Sequence, residues 1–454
     1  MRILYLTFFE SVIGNGIYET QVKEVLCRLA KNFGNRISIS HFALLPALRI
    51  GRRGISIFFL DERREFAALN EEYLRHGVKF RCIFLPFVTL RRWGAQLSLP
   101  LLALLTVIAF PLLAFRIARE RPDILHCRSY MATVIALLIK LVFPDLRVVF
   151  DPRGFWPEEG IVEGRWSETS LTFRLWKRIE KYVISRSDIT IALSESFAEH
   201  IHNIDPQTPC QVIYTSVDVE KFKLARGLRE QRRKQLGLCD SKVFVYNGSL
   251  GSWHAPELLA RIYGSLRQAA GDAKLLVLTT FGKQKLEAVF QRNGLHANEF
   301  LITVAKPNEV ASYLAAADYG LVPLRDIDRN GPMTVVADTM IGTKVAEYLA
   351  SGLPIVVNRR VGGIRSLMAE SKIGVFFDSD EPQEMVSRFK DVVKNYRSYR
   401  TECDYVADRY FSLDQVARSY FTVYKQLVRG SRADEEHAQV EPSQRIIDHK
   451  GRMC

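Results

Sequence analysis

The chain has 454 residues, of which 48% are hydrophobic and 11% aromatic. This composition excludes a disordered chain, and the length exceeds what one core ordinarily fills, so we expect two domains. The formal net charge of +13 favours nucleic acid, an anionic membrane or an anionic substrate as a partner, but no nucleic-acid-binding motif is visible.

The first six residues form a strand pattern rather than a signal peptide. The seven cysteines are scattered and never form a Cys-x-x-Cys pair: Cys27, Cys82, Cys127, Cys210, Cys239, Cys403 and Cys454. This usage is typical of a reducing compartment and argues against a disulfide framework or a structural metal site. We therefore expect a cytoplasmic protein.

The chain opens with a βαβ pattern. Residues 3–9 predict a strand, residues 19–33 an amphipathic helix and residues 37–44 a second strand, with Gly14 and Gly16 in the first loop. The loop lacks the spacing of a dinucleotide fingerprint. The pattern predicts a parallel sheet covered by helices.

Residues 97–115 are the most apolar window and are nearly long enough to span a bilayer. Pro100 and Pro111 interrupt the window, and arginines flank it at positions 91, 92, 116, 119 and 121. This window is compatible with three structures: a core helix, a helix that lies on a membrane surface, and a helix that spans the membrane. The flanking charge favours the second, on the inner face of the cell membrane.

Two further strand ends carry polar candidates. His126 lies in the apolar run 124–127, and Arg153 follows the strand predicted at 147–151. Parallel sheets bind ligands at the carboxyl ends of their strands, which makes both residues candidates. The alternatives are a core histidine and an Asp151–Arg153 structural pair.

The second half begins another doubly wound unit after a charged segment at 220–240. Strands are predicted at 242–246, 274–280, 300–304, 319–322 and 355–357, and Gly248 and Ser249 form a glycine turn after the first of these. Asp326 and Asp328 have the spacing of a metal-binding pair but sit in a basic loop, so we expect no metal.

The segment 342–357 is the most informative. Thr343 and Lys344 stand at the start of a predicted helix, and Glu347 lies one turn further on. A helix N-terminus and a lysine suit a phosphate, and a carboxylate suits sugar hydroxyls. The pattern indicates a nucleotide-sugar site, and the alternative is a surface ion pair on an ordinary helix.

This segment resembles the donor-binding helix of the retaining family 4 glycosyltransferases of the GT-B fold. The steps Pro122-Asp123…His126, Asp151-x-Arg153-Gly154 and Ala316-Ala317-Asp318 resemble the same family. The resemblance covers about residues 1–428. It implies that Glu347 binds the donor ribose, that Thr343 and Lys344 hold the diphosphate, and that the Gly14–Gly16 loop lies near the acceptor.

The resemblance also implies an architecture: an α/β protein with two Rossmann-like domains facing across a cleft, and a C-terminal helix that crosses back to the N-terminal domain. We expect the acceptor-side domain at 1–218, a linker at 219–240 and the nucleotide-sugar-binding domain at 241–400. The crossover helix is expected at 401–428 and a disordered tail at 431–454.

Two positions depart from the family pattern. Thr339 stands where the family often has a glutamate that contacts the transferred sugar, and the turn at Gly248 lacks the arginine and lysine that commonly clamp the phosphates. Lys344 or Arg329 must then supply the cation.

We therefore expect a retaining, metal-independent glycosyltransferase that needs no cofactor besides its nucleotide-sugar substrate. Its acceptor is expected to be a glycan or a lipid-linked acceptor. The alternatives are a non-hydrolysing sugar-nucleotide epimerase and a non-catalytic GT-B-like membrane or assembly protein.

Overall fold

The computed structural model describes residues 1–51, 54–57, 62–90, 99–238, 240–251, 254–324, 331–377 and 382–429. Arg329, Asp326, Asp328 and the predicted tail at 431–454 lie outside these ranges. The chain divides into two compact units, one comprising Met1–Ile213 and the chain from Val416 onward, the other Tyr214–Gln415.

The first unit is built on an eight-stranded sheet. Its strands are β1 (Arg2–Phe8), β2 (Ser38–Gly51), β3 (Gly54–Ile57), β4 (Val78–Leu90), β5 (Ile124–Arg128), β6 (Arg147–Asp151), β7 (Ile189–Ala192) and β8 (Cys210–Val212). The order is β3-β2-β1-β5-β6-β7-β8, with β4 also paired to β2. Among the described residues of this sheet, only the β2–β3 pairing is antiparallel. The strand order reverses between β1 and β5.

The helices of the first unit connect these strands. They are α1 (Gly16–Tyr18), α2 (Glu24–Phe33), α3 (Arg63–Arg75), α4 (Leu99–Glu120), α5 (Tyr130–Lys140), α6 (Trp156–Val162), α7 (Leu171–Arg186) and α8 (Glu195–Ile204). A π-helical segment, Glu19–Lys23, joins α1 to α2. The helix expected at 19–33 is therefore continuous but changes its winding in its first turns.

Helix α4 contains residues 99–115 of the apolar window and has two different faces. Leu105, Ala109 and Leu113 are buried, whereas Leu104, Val107, Leu112 and Phe115 are 45–69% exposed. Among the described residues, no helix combines the length and hydropathy needed to cross a bilayer.

The second unit is built on a six-stranded, fully parallel sheet. Its strands are β9 (Lys242–Asn247), β10 (Ala273–Leu278), β11 (Phe300–Thr303), β12 (Tyr319–Val322), β13 (Ile355–Asn358) and β14 (Gly374–Phe377). The order is β11-β10-β9-β12-β13-β14, which is the doubly wound order with its reversal between β9 and β12. The two parallel sheets confirm the predicted α/β class with two Rossmann-like domains.

Helices again connect the strands of the second unit. They are α9 (Val219–Ala225), α10 (Arg229–Leu236), α11 (Pro256–Ala270), α12 (Lys283–Arg292), α13 (Val310–Ala315), α14 (Pro332–Thr339), α15 (Thr343–Ala350), α16 (Arg365–Glu370), α17 (Pro382–Lys394) and α18 (Tyr396–Val406), with short 3₁₀ turns at Arg226–Leu228 and Gly362–Ile364.

The segment expected as a linker packs within this unit. Arg229 of α10 donates to Asp318 at 2.8 Å, and Arg233 donates to the carbonyl of Ala316 at 2.8 Å. These bonds anchor α10 to the Ala-Ala-Asp step that precedes β12.

After α18, a π-helical segment (Ala407–Phe411) leads into the last described helix, α19 (Leu413–Arg429). From Val416 onward this helix belongs to the first unit. Tyr424 contacts His126 of β5 at 2.7 Å, and the Phe421 ring stacks on Phe33 of α2 with a centroid separation of 4.1 Å. The chain thus returns to its first unit.

Candidate active site

The predicted donor residues meet where the strand order of the second sheet reverses. Strand β9 ends at Asn247 and helix α15 begins at Thr343. The Asn247 amide nitrogen donates to Glu347 Oε2 at 2.8 Å, and its backbone N–H donates to the Tyr348 hydroxyl at 2.8 Å. Ligands of doubly wound sheets bind at this kind of crevice.

Tyr348 fixes α15 on the sheet. Its side chain is fully buried, and a Cβ added at Gly320 of β12 would lie 2.4 Å from the Tyr348 ring. Only glycine leaves room for the ring at this position. Since Tyr348 follows Glu347 directly, this contact positions the carboxylate as well.

Lys344 lies over the glycine turn after β9. Its Nζ donates to His254 Nε2 at 2.8 Å and stands 4.7 Å from the centre of the Tyr246 ring. A Cβ added at Gly248, whose φ is +139°, would meet this Nζ at 3.3 Å. The turn lacks a cation of its own, and Lys344 brings one to it from α15.

Burial brings the pKa values of Lys344 and Glu347 close to neutral pH. Withdrawal from water lowers the pKa of Lys344 to about 7, although Glu347 acts to raise it. Withdrawal from water also raises the pKa of Glu347 to about 7, against the Asn247 hydrogen bond and the Lys344 charge. Burial and the Lys344 charge lower the pKa of His254 to about 3, so the neutral imidazole accepts the lysine hydrogen bond.

The arrangement offers a cation and a carboxylate at the start of one helix. The N-cap of α15 is Gly342, which has no side chain to cap the first turn. Amides of a first helical turn attract anions, and Lys344 adds to that attraction. Glu347, half-buried beside Asn247, can accept hydrogen bonds from hydroxyl groups.

The other predicted donor residues have different surroundings. The Ser249 carbonyl accepts a 2.5 Å hydrogen bond from the Tyr246 hydroxyl, which shapes the glycine turn. Thr339, which departs from the glutamate that the resembled family often has at this position, is buried. Its hydroxyl donates to the carbonyl of Val335 at 2.7 Å, within α14. Arg329 lies outside the described residues.

A separate cavity of about 350 Å³ lies in the first unit, where the strand order reverses between β1 and β5. Its wall includes Phe9, Ser129 and Arg153, which follow β1, β5 and β6. Each has a left-handed backbone, with φ of 52°, 84° and 63°. Strained non-glycine residues gather at functional sites because the surrounding structure maintains them.

Arg153 combines the two roles considered from the sequence. Its Nη1 lies 3.6 Å from Asp151 Oδ1, and its side chain lines the cavity. Burial alone would raise the pKa of Asp151, but Arg153, His126 and Arg128 outweigh it and hold the pKa at about 2. Arg153 thus faces the cavity while it neutralises a buried carboxylate.

His126, expected on the acceptor side, is a core residue in this structure. Its side chain is 0% exposed, Nδ1 is 2.7 Å from the Tyr424 hydroxyl and Nε2 is 3.4 Å from Asp151 Oδ2. Burial lowers its pKa. Gly14 and Gly16 are exposed in the loop that leads into α1, and neither lines the cavity.

Sequence reasoning did not single out several residues that build these sites. Asn247 and Tyr246 end β9, and their position before the glycine turn could have marked them. Trp156 and Trp176 line the first-unit cavity. The clustering of tryptophans in the sequence after Asp151 could have marked these two residues as candidates.

Family models match most of the chain. Residues 49–221 match Glycosyltransferase Family 4, and residues 241–395 match Glycosyl transferases group 1. A curated relative, D-inositol 3-phosphate glycosyltransferase from Corynebacterium urealyticum, is 23% identical over 329 residues, which cover 67% of this chain and 72% of the relative.

Solved structures show the same fold. Sucrose-phosphate synthase from Thermosynechococcus elongatus superimposes with a TM-score of 0.64 at 14% identity, covering 94% of this chain and 99% of that one. Anabaena Alr3699/HepE in complex with UDP gives 0.61 at 16% identity, covering 94% and 100%. The two matched domains, these relatives and the two parallel-sheet units together establish that the chain is an enzyme of the GT-B glycosyltransferases, a member of family 4.

Proposed function

We propose that the enzyme transfers a sugar from a nucleotide-diphosphate donor to a glycan or lipid-linked acceptor, with retention of anomeric configuration and without a metal ion. The donor binds at the start of α15, and the acceptor is held by the first unit. The role fits glycan or glycolipid assembly.

The observation that carries this proposal is the joint placement of Lys344, Glu347 and Asn247 at the end of β9. Breaking the bond between sugar and diphosphate leaves negative charge on the departing phosphate. Lys344 and the first-turn amides of α15 supply positive charge there without a metal. Glu347, oriented by Asn247 at 2.8 Å, accepts hydrogen bonds from the ribose hydroxyls.

Nucleotide binding tests the donor site directly. In calorimetry with UDP, we expect Glu347→Gln to weaken binding by about 1–3 kcal/mol, the cost of losing charge-assisted hydrogen bonds. Glu220→Gln, which changes an exposed carboxylate in α9 of the same unit, is the matched control and should bind like the parent. Unchanged affinity in Glu347→Gln would remove the ribose assignment.

We further propose that the first unit associates with an anionic membrane surface. The exposed face of α4 presents Leu104, Val107, Leu112 and Phe115, and Arg119 and Arg121 are exposed where the helix ends. Helix α7 also exposes apolar and basic residues in alternation: Leu171, Arg174, Leu175, Arg178, Lys181, Tyr182 and Arg186. Apolar contact combined with about 1 kcal/mol for each basic residue near the surface favours anionic lipid.

Liposome flotation tests this association. The protein should float with vesicles containing anionic lipid and less with neutral ones, and high salt should weaken the binding without abolishing it. Val107→Asp combined with Phe115→Asp should abolish flotation. Leu224→Asp, at a leucine of α9 that is 78% exposed, should float like the parent. A parent protein that ignores anionic vesicles would refute the proposal.

A further inference from the structure

The cavity of the first unit has a size and position suited to one sugar-like ring. Its volume of about 350 Å³ is at the lower end of the range for small-molecule sites. Residues that follow β1, β5 and β6 line it together with side chains of α6 and α7. It therefore occupies the carboxyl ends of three neighbouring parallel strands, where such sheets bind ligands.

The buried side-chain polar atoms of this wall that lack a hydrogen-bond partner all have the same hydrogen-bonding role. Each buried side-chain nitrogen or oxygen of the lining residues that lacks a hydrogen-bond partner is a donor: Arg128 Nη1, Arg153 Nε, Trp156 Nε1, Arg165 Nη1 and Trp176 Nε1. Buried polar groups are ordinarily paired, and an unpaired one carries the full desolvation cost. Unpaired donors gathered on one cavity call for a ligand that is rich in acceptors.

The three arginines are held in place by their remaining atoms. Arg128 Nε donates to Glu10 at 2.7 Å, and Arg153 Nη2 donates to Gln21 of the π-helical segment at 2.6 Å. The guanidinium of Arg165 lies 4.1 Å from the centre of the Trp156 ring. These contacts fix the guanidinium groups while leaving a nitrogen of each without a partner.

Each of the three arginines has a carboxylate partner: Arg128 pairs with Glu10, Arg153 with Asp151 and Arg165 with Glu163. Burial raises the pKa of Glu159 to about 7, with Glu163 adding to that effect, so near neutral pH much of this carboxyl group is uncharged. The unpaired nitrogens of the three guanidinium groups therefore remain available to a ligand. They lie in a wall that also contains the indole rings of Trp156 and Trp176, whose centroids are 6.1 Å apart.

We infer that this cavity binds an oxyanion carried on a sugar-sized ring of the acceptor, a phosphate monoester or a carboxylate, through Arg128, Arg153 and Arg165. Assigning the ligand to the acceptor rests on the proposed transfer reaction, whereas the anion preference rests on the unpaired donors alone. The two oxyanions share the recognition chemistry, because guanidinium groups pair with both.

Direct binding without any donor tests the inference. The probes are a hexose 6-phosphate, a hexuronate and the neutral hexose, each in the gluco, galacto and manno configurations, with calorimetry and tryptophan fluorescence as readouts. At least one anionic probe should bind about tenfold or more tightly than its neutral counterpart. Whichever anion binds more tightly identifies the group.

Variants locate the binding. Arg165→Gln and Trp156→Phe should each weaken binding of the anionic probe by about tenfold. Arg64→Gln, which removes an exposed arginine of α3 in the same unit, should bind the probe like the parent. Trp156→Phe keeps an aromatic ring in place, and thermal unfolding identifies any variant that has lost its fold.

The outcomes separate this inference from the proposed function. Equal binding of neutral and anionic hexoses, or no binding of any probe, overturns the anion site even if UDP binds normally. Binding of an anionic hexose that depends on Arg165, in a protein that binds none of UDP, ADP and GDP, supports the site and refutes the donor proposal instead.

Discussion

Replacing Lys344 with methionine should stabilise the protein and disable it at the same time. The surroundings of this residue lower its pKa from 10.5 to about 7. At 1.36 kcal/mol per pKa unit, this corresponds to about 5 kcal/mol of unfavourable free energy in the folded state below pH 7. Because Lys344 as a whole residue is only half-buried, solvent screening reduces this, and we expect a net gain of about 1–2 kcal/mol.

The gain in stability of the methionine variant should decrease as the pH rises. Between pH 7 and 10.5 the unfolded chain binds more protons at Lys344 than the folded chain, so the stability of the parent rises with pH across this window. The variant lacks this rise. Its advantage should be complete below pH 7 and should disappear as the pH approaches 10.5.

Thermal unfolding and donor turnover test the prediction for Lys344→Met. Thermal unfolding at pH 6.5 should show a midpoint raised by about 2–6 °C, with a smaller difference at pH 9.5, while donor turnover falls by roughly 100-fold. Lys372→Met, at an exposed lysine of the same unit, should change neither quantity appreciably. A lower midpoint at pH 6.5 would refute the conclusion that the Lys344 ammonium destabilises the folded state. Unchanged turnover would refute its role in binding the diphosphate.

Three further predictions concern the same enzyme. Gly320→Ala would place a methyl group 2.4 Å from the Tyr348 ring, so we expect a loss of about 1–3 kcal/mol and weaker UDP binding, whereas Gly264→Ala, whose Cβ would meet only Leu295 at 4.0 Å, should be neutral or stabilising. Transfer should survive EDTA, because Lys344 and the α15 amides supply the positive charge; activity that is lost and then restored by manganese would contradict this. NMR of the first product should show the anomeric configuration of the donor, and an inverted product would exclude the retaining mechanism.

The sequence predicted the local structure of the donor segment well because its signals are local. Residues 343–350 form the expected helix, and Gly352 ends it with φ of +71°. The apolar run that follows forms the buried strand β13. Helix caps, glycine turns and short apolar runs act over a few residues, so they can be recognised without knowing the fold.

Strand β4 was not predicted. Lys79 and Arg81 alternate with Phe80 and Cys82 in this stretch. The alternation is the period of a strand with one polar face. The structure pairs β4 with β2 in parallel over much of its length.

Contacts between distant residues set the limit of sequence reasoning at both sites. His254 accepts a hydrogen bond from Lys344, ninety positions later in the chain, and His126 meets Tyr424, 298 positions later. No local pattern reports such pairs. Whether a polar side chain faces a ligand or a core partner is decided by these contacts, which is why the role of His126 could not be read from its strand.

The return of α19 to the first unit has a consequence for synthesis. Tyr420 donates to the buried carboxylate of Asp151 at 3.2 Å, and Tyr424 completes the surroundings of His126. The ribosome makes β5 and β6 early but releases these tyrosines more than 250 residues later. Until then, Asp151 and His126 lack their tyrosine partners, while the whole of Tyr214–Gln415 has already emerged. The unit that is made first is therefore completed last, and nascent chains stalled before Val416 should expose an unfinished first unit to chaperones.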